Sequence, residues 1–215
     1  MRKILLYGPK LNVVSKKSYG GGTGGYTRNM SVYLKCFNLS DFIILPCFHT
    51  IKGEMNLGVF TNPIRLIIDL IVFLHKLLRY KISVTHILGQ YRGAIIREAS
   101  IVLLSKLFGI KVLYEIKAGA FIKSYERGNG FYKKLTDIII NNSNLVLVEG
   151  EIYNKYILES YNQKAYYFPN VVPSDEIPLE VHEKFSSNTL KVIFVGFAYE
   201  GKGIKELLDG ANIFA

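Results

Sequence analysis

Short apolar runs recur along this chain, each separated from the next by a segment of helix length. That alternation constrains the fold more than any other feature. Lys3–Tyr7, Asp41–Phe48, Ile82–Leu88, Lys111–Ile116, Leu145–Val148 and Lys164–Phe168 read as strands. Between them lie expected helices over about Gly25–Cys36, Ile64–Tyr80, Gly93–Phe108, Phe131–Ile140 and Glu151–Ser160. Pro63 suits a first helical turn and Gly109 a C-terminal cap, while Asn141–Asn144 and Pro169 act as breakers. Sequential strands joined by helices pair parallel, through βαβ crossovers. Helices then cover both faces of the sheet, which explains strands that are apolar throughout rather than alternating. The expected fold class is therefore α/β, a Rossmann-like parallel sheet with helices on both faces.

The pattern changes near residue 173. Pro173, Pro178, Asp175, Glu176, Glu180 and Glu183 fall in a stretch with no apolar periodicity, which reads as a linker over 173–189. A new strand, Leu190–Val195, and a helix-like run, Ile204–Leu208, follow it. One strand and one helix cannot bury a sheet face. Residues 1–172 thus read as one domain, and 190–215 as the incomplete start of a second α/β domain.

Charge narrows the partners. The net charge is +10, and residues 1–90 carry 12 Lys/Arg against 3 Asp/Glu, the remainder 15 against 14. A basic first half favours an anionic partner: a phosphorylated small molecule, an anionic lipid surface or nucleic acid. No dense Lys/Arg run, zinc finger or RNP-like aromatic motif supports specific nucleic-acid binding. The 15 tyrosines are scattered through strands and helices rather than grouped as a stacking platform. The N-terminus, MRKILLYGP, is too briefly apolar for a signal peptide, and no run suffices for an ordinary spanning helix. The two cysteines make neither a disulfide framework nor a CxxC pair. A reducing, cytoplasmic setting is the expectation.

Two glycine-rich loops could carry chemistry. Gly20-Gly21-Gly22-Thr23-Gly24-Gly25 joins the first strand to the first helix, where backbone N–H groups can receive a phosphate or carboxylate. It lacks the Gly-Lys-Ser/Thr of a phosphate loop, and it opens too far beyond the strand for a dinucleotide turn. Val195-Gly196 through Lys202-Gly203 again leads from strand to helix, and Lys202 there can act as a point charge on a diphosphate. Among four histidines, His49 and His86 end strands and so can face a cleft; His75 sits in an apolar helix and His182 in the linker. No HxH or HExxH spacing occurs, so no metal site is expected.

Taken in order, these pieces resemble retaining glycosyltransferases of the two-Rossmann-domain (GT-B) kind, family 4 type. Four segments carry the resemblance: Gly21 to Asn29, Leu145–Val148 with its following helix, Phe168-Pro169-Asn170-Val171-Val172, and Val195-Gly196 through Ile204. It spans essentially the whole chain. It implies sugar transfer from a nucleotide-diphosphate sugar to a glycan or lipid-linked acceptor. Acceptor and donor would lie on opposite walls of a cleft, with no resident cofactor or metal. By the same resemblance Gly24 and Gly25 line the cleft near the donor phosphates, and Lys202 contacts the diphosphate. Stabilising that leaving phosphate is the main electrostatic task. Lys117 is the nearest match to a catalytic-site histidine and is the candidate catalytic residue, with Glu115 placed to pair with it. Tyr26, His86, Glu115 and Asn170 are the candidate acceptor or cleft residues. The sequence departs from the pattern at Phe197, where an arginine often follows the Val-Gly. The family's acidic pair would fall beyond residue 215. The chain is therefore expected to be inactive alone: a shortened enzyme, or one half completed by another chain carrying a donor domain. The alternative is a non-enzymatic α/β binding or assembly subunit. The apolar helix 64–80 and the basic first half also raise peripheral contact with an anionic membrane surface.

Overall fold

A computed structural model describes residues 2–9, 32–35, 42–49, 61–89, 92–117, 119–170, 192–194 and 203–214. Among these residues six strands form one sheet: β1 (Arg2–Pro9), β2 (Phe42–His49), β3 (Ile82–Gly89), β4 (Lys111–Ile116), β5 (Leu145–Val148) and β6 (Ala165–Tyr167). Their order is β2-β1-β3-β4-β5-β6, and every pairing is parallel. The helices are α1 (32–35), α2 (Thr61–Arg79), α3 (Ile95–Leu107), α4 (Phe121–Arg127), α5 (Gly130–Asn142), α6 (Glu151–Tyr161) and α7 (Ile204–Phe214). The described residues up to 170 thus make a single Rossmann-like parallel α/β domain.

Connection direction decides which face each helix covers. The chain steps from β1 outward to β2, then crosses back over β1 to β3 and continues in one direction to β6. Right-handed crossovers put helices of opposite steps on opposite faces. Accordingly α1 packs on one face, where Tyr33 and Leu34 meet Leu6, Ile44, Phe48 and Leu88. The other face carries the main core. There Leu5, Tyr7, Cys47, Ile87, Val112, Tyr114 and Val146 meet Phe73 of α2, Ile101 and Val102 of α3, Ile139 and Ile140 of α5 and Ile157 of α6. The reversal of direction lies between β1 and β3, and the carboxyl ends of those strands flank the crevice in which open α/β sheets bind ligands.

Most local expectations match the elements formed. Lys111–Ile116 and Leu145–Val148 are strands over the very residues read from sequence, and Gly109 takes the left-handed φ of +67° that ends α3. Three corrections have physical causes. First, α4 carries no sequence signal: Ala120 gives no side-chain cap, and the helix is held by Phe121, buried and edge-on to Tyr156. Second, α5 runs through Asn141 and Asn142, because the Asn142 amide donates to the Ile138 carbonyl (2.7 Å) instead of breaking the helix. The break comes at Ser143, and Asn144 then docks on β4, its Oδ1 accepting from the Val112 N–H at 2.9 Å. Third, residues 192–194, the described part of the strand expected over Leu190–Val195, are not in a strand, and Ile193 is exposed. A strand needs a ladder partner, and none among the described residues pairs with them. The helix expected over Ile204–Leu208 does form and extends to Phe214. The glycine loop at 20–25, the linker at 173–189 and Lys202 lie outside the described residues.

Candidate functional site

A buried polar network sits on the α1 face, at the carboxyl ends of β3 and β4. Strand register builds it. Leu88 pairs with Glu115 and His86 with Leu113, so His86 and Glu115 share a face on adjacent strands. Lys117 follows β4 with the same parity. Glu115 Oε2 accepts from His86 Nε2 at 2.8 Å, and Oε1 takes both the Tyr33 hydroxyl and Lys117 Nζ, each at 2.8 Å. The Lys117 ammonium also donates to the Phe168 carbonyl (3.4 Å) and lies 5.5 Å from the centre of the Phe168 ring. Tyr33 stacks on His86, with ring centres 5.5 Å apart and planes 28° apart, and its ring centre lies 5.8 Å from that of Phe168.

Electrostatics follow from burial and partners. Burial alone would push the Glu115 carboxyl up, but the His86 hydrogen bond and the charges of His86 and Lys117 hold it below the ordinary carboxylate range. Glu115 is therefore ionised and accepts only, so His86 Nε2 carries the hydrogen between them, and in the neutral ring Nδ1 is left as the acceptor. The Tyr33 hydroxyl is pushed well above the usual phenol range by burial, then by the Glu115 charge and hydrogen bond. It stays a donor. Side-chain exposure grades the three polar groups: Glu115 0%, Lys117 3%, His86 14%. His86 is the network's accessible edge, and Glu115 is the buried anchor that orients it.

Of the residues singled out in the sequence, His86, Glu115 and Lys117 come together, and Glu115 pairs with Lys117. Asn170 stays apart, at an exposed rim, where its amide donates to Glu149 Oε2 at 3.2 Å. Gly24, Gly25, Tyr26 and Lys202 lie outside the described residues. His49 ends β2, but it shares the parity of Leu45 and Cys47 and faces the α2 side, buried 5.9 Å from the Tyr7 ring. It does not join His86. Tyr33 and Phe168 were missed as site residues. The signal for Tyr33 was a tyrosine in the first helix over an apolar strand, since a buried phenol needs a polar partner.

The α2 side holds a second set of buried charges. Asp69 Oδ2 accepts from Arg97 Nη1 at 3.1 Å, and Glu98 Oε2 accepts from the Tyr114 hydroxyl at 2.6 Å. These ties join α2 to α3 and α3 to β4. Cys47 is a free, buried thiol, pushed by burial up to about 12 and so inert. Among the described residues no group of His, Cys, Asp and Glu could hold a metal ion.

The arrangement can hold an imidazole in one tautomer and one orientation beside a buried ammonium, next to the crevice between β1 and β3. That suits recognition of a hydroxyl or an anionic oxygen and proton exchange with it. In comparisons with known proteins, no family model matches the chain and no curated protein matches it.

Proposed function

We propose that this chain supplies the acceptor-side wall of a glycosyltransferase that moves a sugar from a nucleotide-diphosphate donor to a glycan or lipid-linked acceptor. The observation that carries the reading is the Tyr33–Glu115–His86–Lys117 network, buried, hydrogen-bonded and placed at the carboxyl edge beside the reversal of strand order. A fixed imidazole in that position is suited to orienting an acceptor hydroxyl. Lys117, matched by resemblance to a catalytic-site position, acts here as a positioning residue. It is tied to Glu115 and Phe168 and so fixes the carboxylate that orients His86. Gly24, Gly25 and Lys202 would serve the donor phosphates, and Tyr26 and Asn170 the cleft rim. Residues 1–172 form the acceptor domain in this reading, 173–189 the linker, and 190–215 belong to the donor side of the cleft.

The test is acceptor-dependent release of nucleotide from a panel of nucleotide-diphosphate sugars, by the chain alone and with a donor-type domain added in trans. Release that falls at least tenfold in His86→Ala, while thermal stability is retained, supports the reading. Acceptor glycans that bind wild type and His86→Ala equally, with no release in either arrangement, would end it. A second reading, a binding or assembly subunit, draws on Glu115, whose oxygens are taken up by three side chains as in a purely structural anchor. It is favoured if acceptor binding depends on His86 and no transfer ever follows.

A further inference from the structure

Helices α2 and α3 each follow a strand and return antiparallel to it, so both begin at the carboxyl edge of the sheet, packed side by side. Between their N-termini lies a cavity of about 570 Å³, on the sheet face opposite the Glu115 network. Arg65 and Arg97 line it, and no carboxylate is among the described residues that do. Arg97 is held in place: its Nη1 donates to Asp69, which is buried behind it, and only 13% of the Arg97 side chain is exposed. The helix ends add positive potential. The first turn of α2 holds no acid, Ala94 gives α3 no side-chain cap, and Glu98 in the first turn of α3 turns inward to the Tyr114 hydroxyl. Gly93 keeps the wall open, since a Cβ there would meet no atom within 4 Å. A further observation comes from the core. The Tyr7 hydroxyl has no hydrogen-bond partner among the described residues, although Tyr7 is 1% exposed. A buried phenol ordinarily finds a partner. Arg97 is the charge that most opposes the effect of burial on Tyr7, so an unclaimed donor stands at the Arg97 end of the cavity.

We infer that this cavity binds a small phosphomonoester, its phosphate on Arg65 and Arg97 and its organic body against Pro63, Leu66 and Ile96. Guanidinium forks match phosphate oxygens in geometry and charge, and N–H groups at helix N-termini suit the same anion. Size and lining choose between a bare ion and a larger molecule. Small-molecule sites run from about 300 to 1,000 Å³, and this cavity, at about 570 Å³, falls within that range. Its apolar side chains have no part in holding free phosphate, whereas they can cover the carbon skeleton of an ester. The inference uses no residue of the Glu115 network and stands apart from the sugar-transfer reading.

Isothermal titration calorimetry of the full chain tests it, with glucose 6-phosphate, glycerol 3-phosphate and adenosine 5′-monophosphate as probes and inorganic phosphate and glucose as controls. At least one ester should bind about tenfold more tightly than inorganic phosphate, and glucose should not bind. Arg65→Gln, which removes a charge, and Gly93→Leu, which fills the cavity, should each weaken the ester about tenfold while keeping the wild-type circular dichroism spectrum. His86→Ala should bind the ester as wild type does. Binding lost in His86→Ala but kept in both cavity variants would move the ligand to the Glu115 network and overturn the proposal. So would the absence of binding by all three esters. Inorganic phosphate binding as tightly as the esters would mean an adventitious ion only, and would also overturn it.

Discussion

Glu115 illustrates how one residue couples stability to the site. Its carboxylate is fully buried and is answered by Tyr33, His86 and Lys117 together. Removing one member of a buried charged set leaves the others unpaired, so Glu115→Gln should destabilise the protein by about 3 kcal/mol, measured by urea unfolding at neutral pH. The same residue sets a pH dependence. Its folded carboxyl titrates below its ordinary value of 4.5, so the unfolded chain takes up the proton first. The network's stabilisation is complete above about pH 4.5 and is lost as pH falls through the folded value. Wild type should show a falling urea midpoint on that acid limb, and Glu115→Gln a flatter one. A steeper limb in the variant would contradict this account. Gly89 is a second sensitive position. A Cβ there would overlap the buried Tyr114 hydroxyl and come within 3.0 Å of the Glu115 carbonyl, so Gly89→Ala should lower the melting temperature by several degrees and disturb the network from behind. The chemistry of the Glu115–Lys117 pair was legible from two-residue spacing at a strand end. The third and fourth partners were not, because His86 and Tyr33 lie 29 and 82 residues away in sequence.

Helices show where local signals suffice and where packing must supply the rest. Helix α5 begins at a true cap: Asn129 Oδ1 accepts from the Tyr132 N–H at 2.9 Å. Asn129→Ala should cost about 1 kcal/mol and speed hydrogen exchange in the first turn of α5. Helix α4 is the opposite case. It has seven residues, no capping side chain, and depends on Phe121 in the core. An isolated helix of that length does not persist in water, so Phe121→Ala should abolish protection of the α4 amides while the strands keep theirs, a contrast that hydrogen-exchange mass spectrometry resolves by peptide. The α2–α3 pair carries its own lesson at this scale. A helix whose apolar residues recur on every side cannot report from sequence which stripe faces the sheet. In α2 the buried Asp69–Arg97 pair draws its side inward, and that leaves Ile67, Ile71 and Leu78 outside.

The sheet as a whole should open from its edges. Among the described residues, strands β1, β3, β4 and β5 are paired on both sides, whereas β2 and β6 each have a single neighbour and β6 has only three residues. Backbone protection follows buried, doubly paired amides. The slowest exchange is therefore expected in β1, β3, β4 and β5 and the fastest in β6. Slowest exchange at β2 or β6 would mean that the strand order is wrong. Phe73, wholly buried between α2 and the sheet, is the matching core probe: Phe73→Ala should cost about 3–5 kcal/mol. The alternation of strand-length and helix-length runs by itself determined the fold class, the parallel pairing and most element positions, because period, length and glycine–proline punctuation act within a few residues of each other. It also determined that a lysine and a glutamate at the end of β4 would be neighbours. Only the tertiary structure decided that β3 and α1 bring His86 and Tyr33 to that pair, that His49 turns to the opposite face, that α4 exists and that the outer stripe of α2 and α3 is apolar. Each of those outcomes depends on strand order and crossover hand, which bring distant segments together and are written at no single point along the chain.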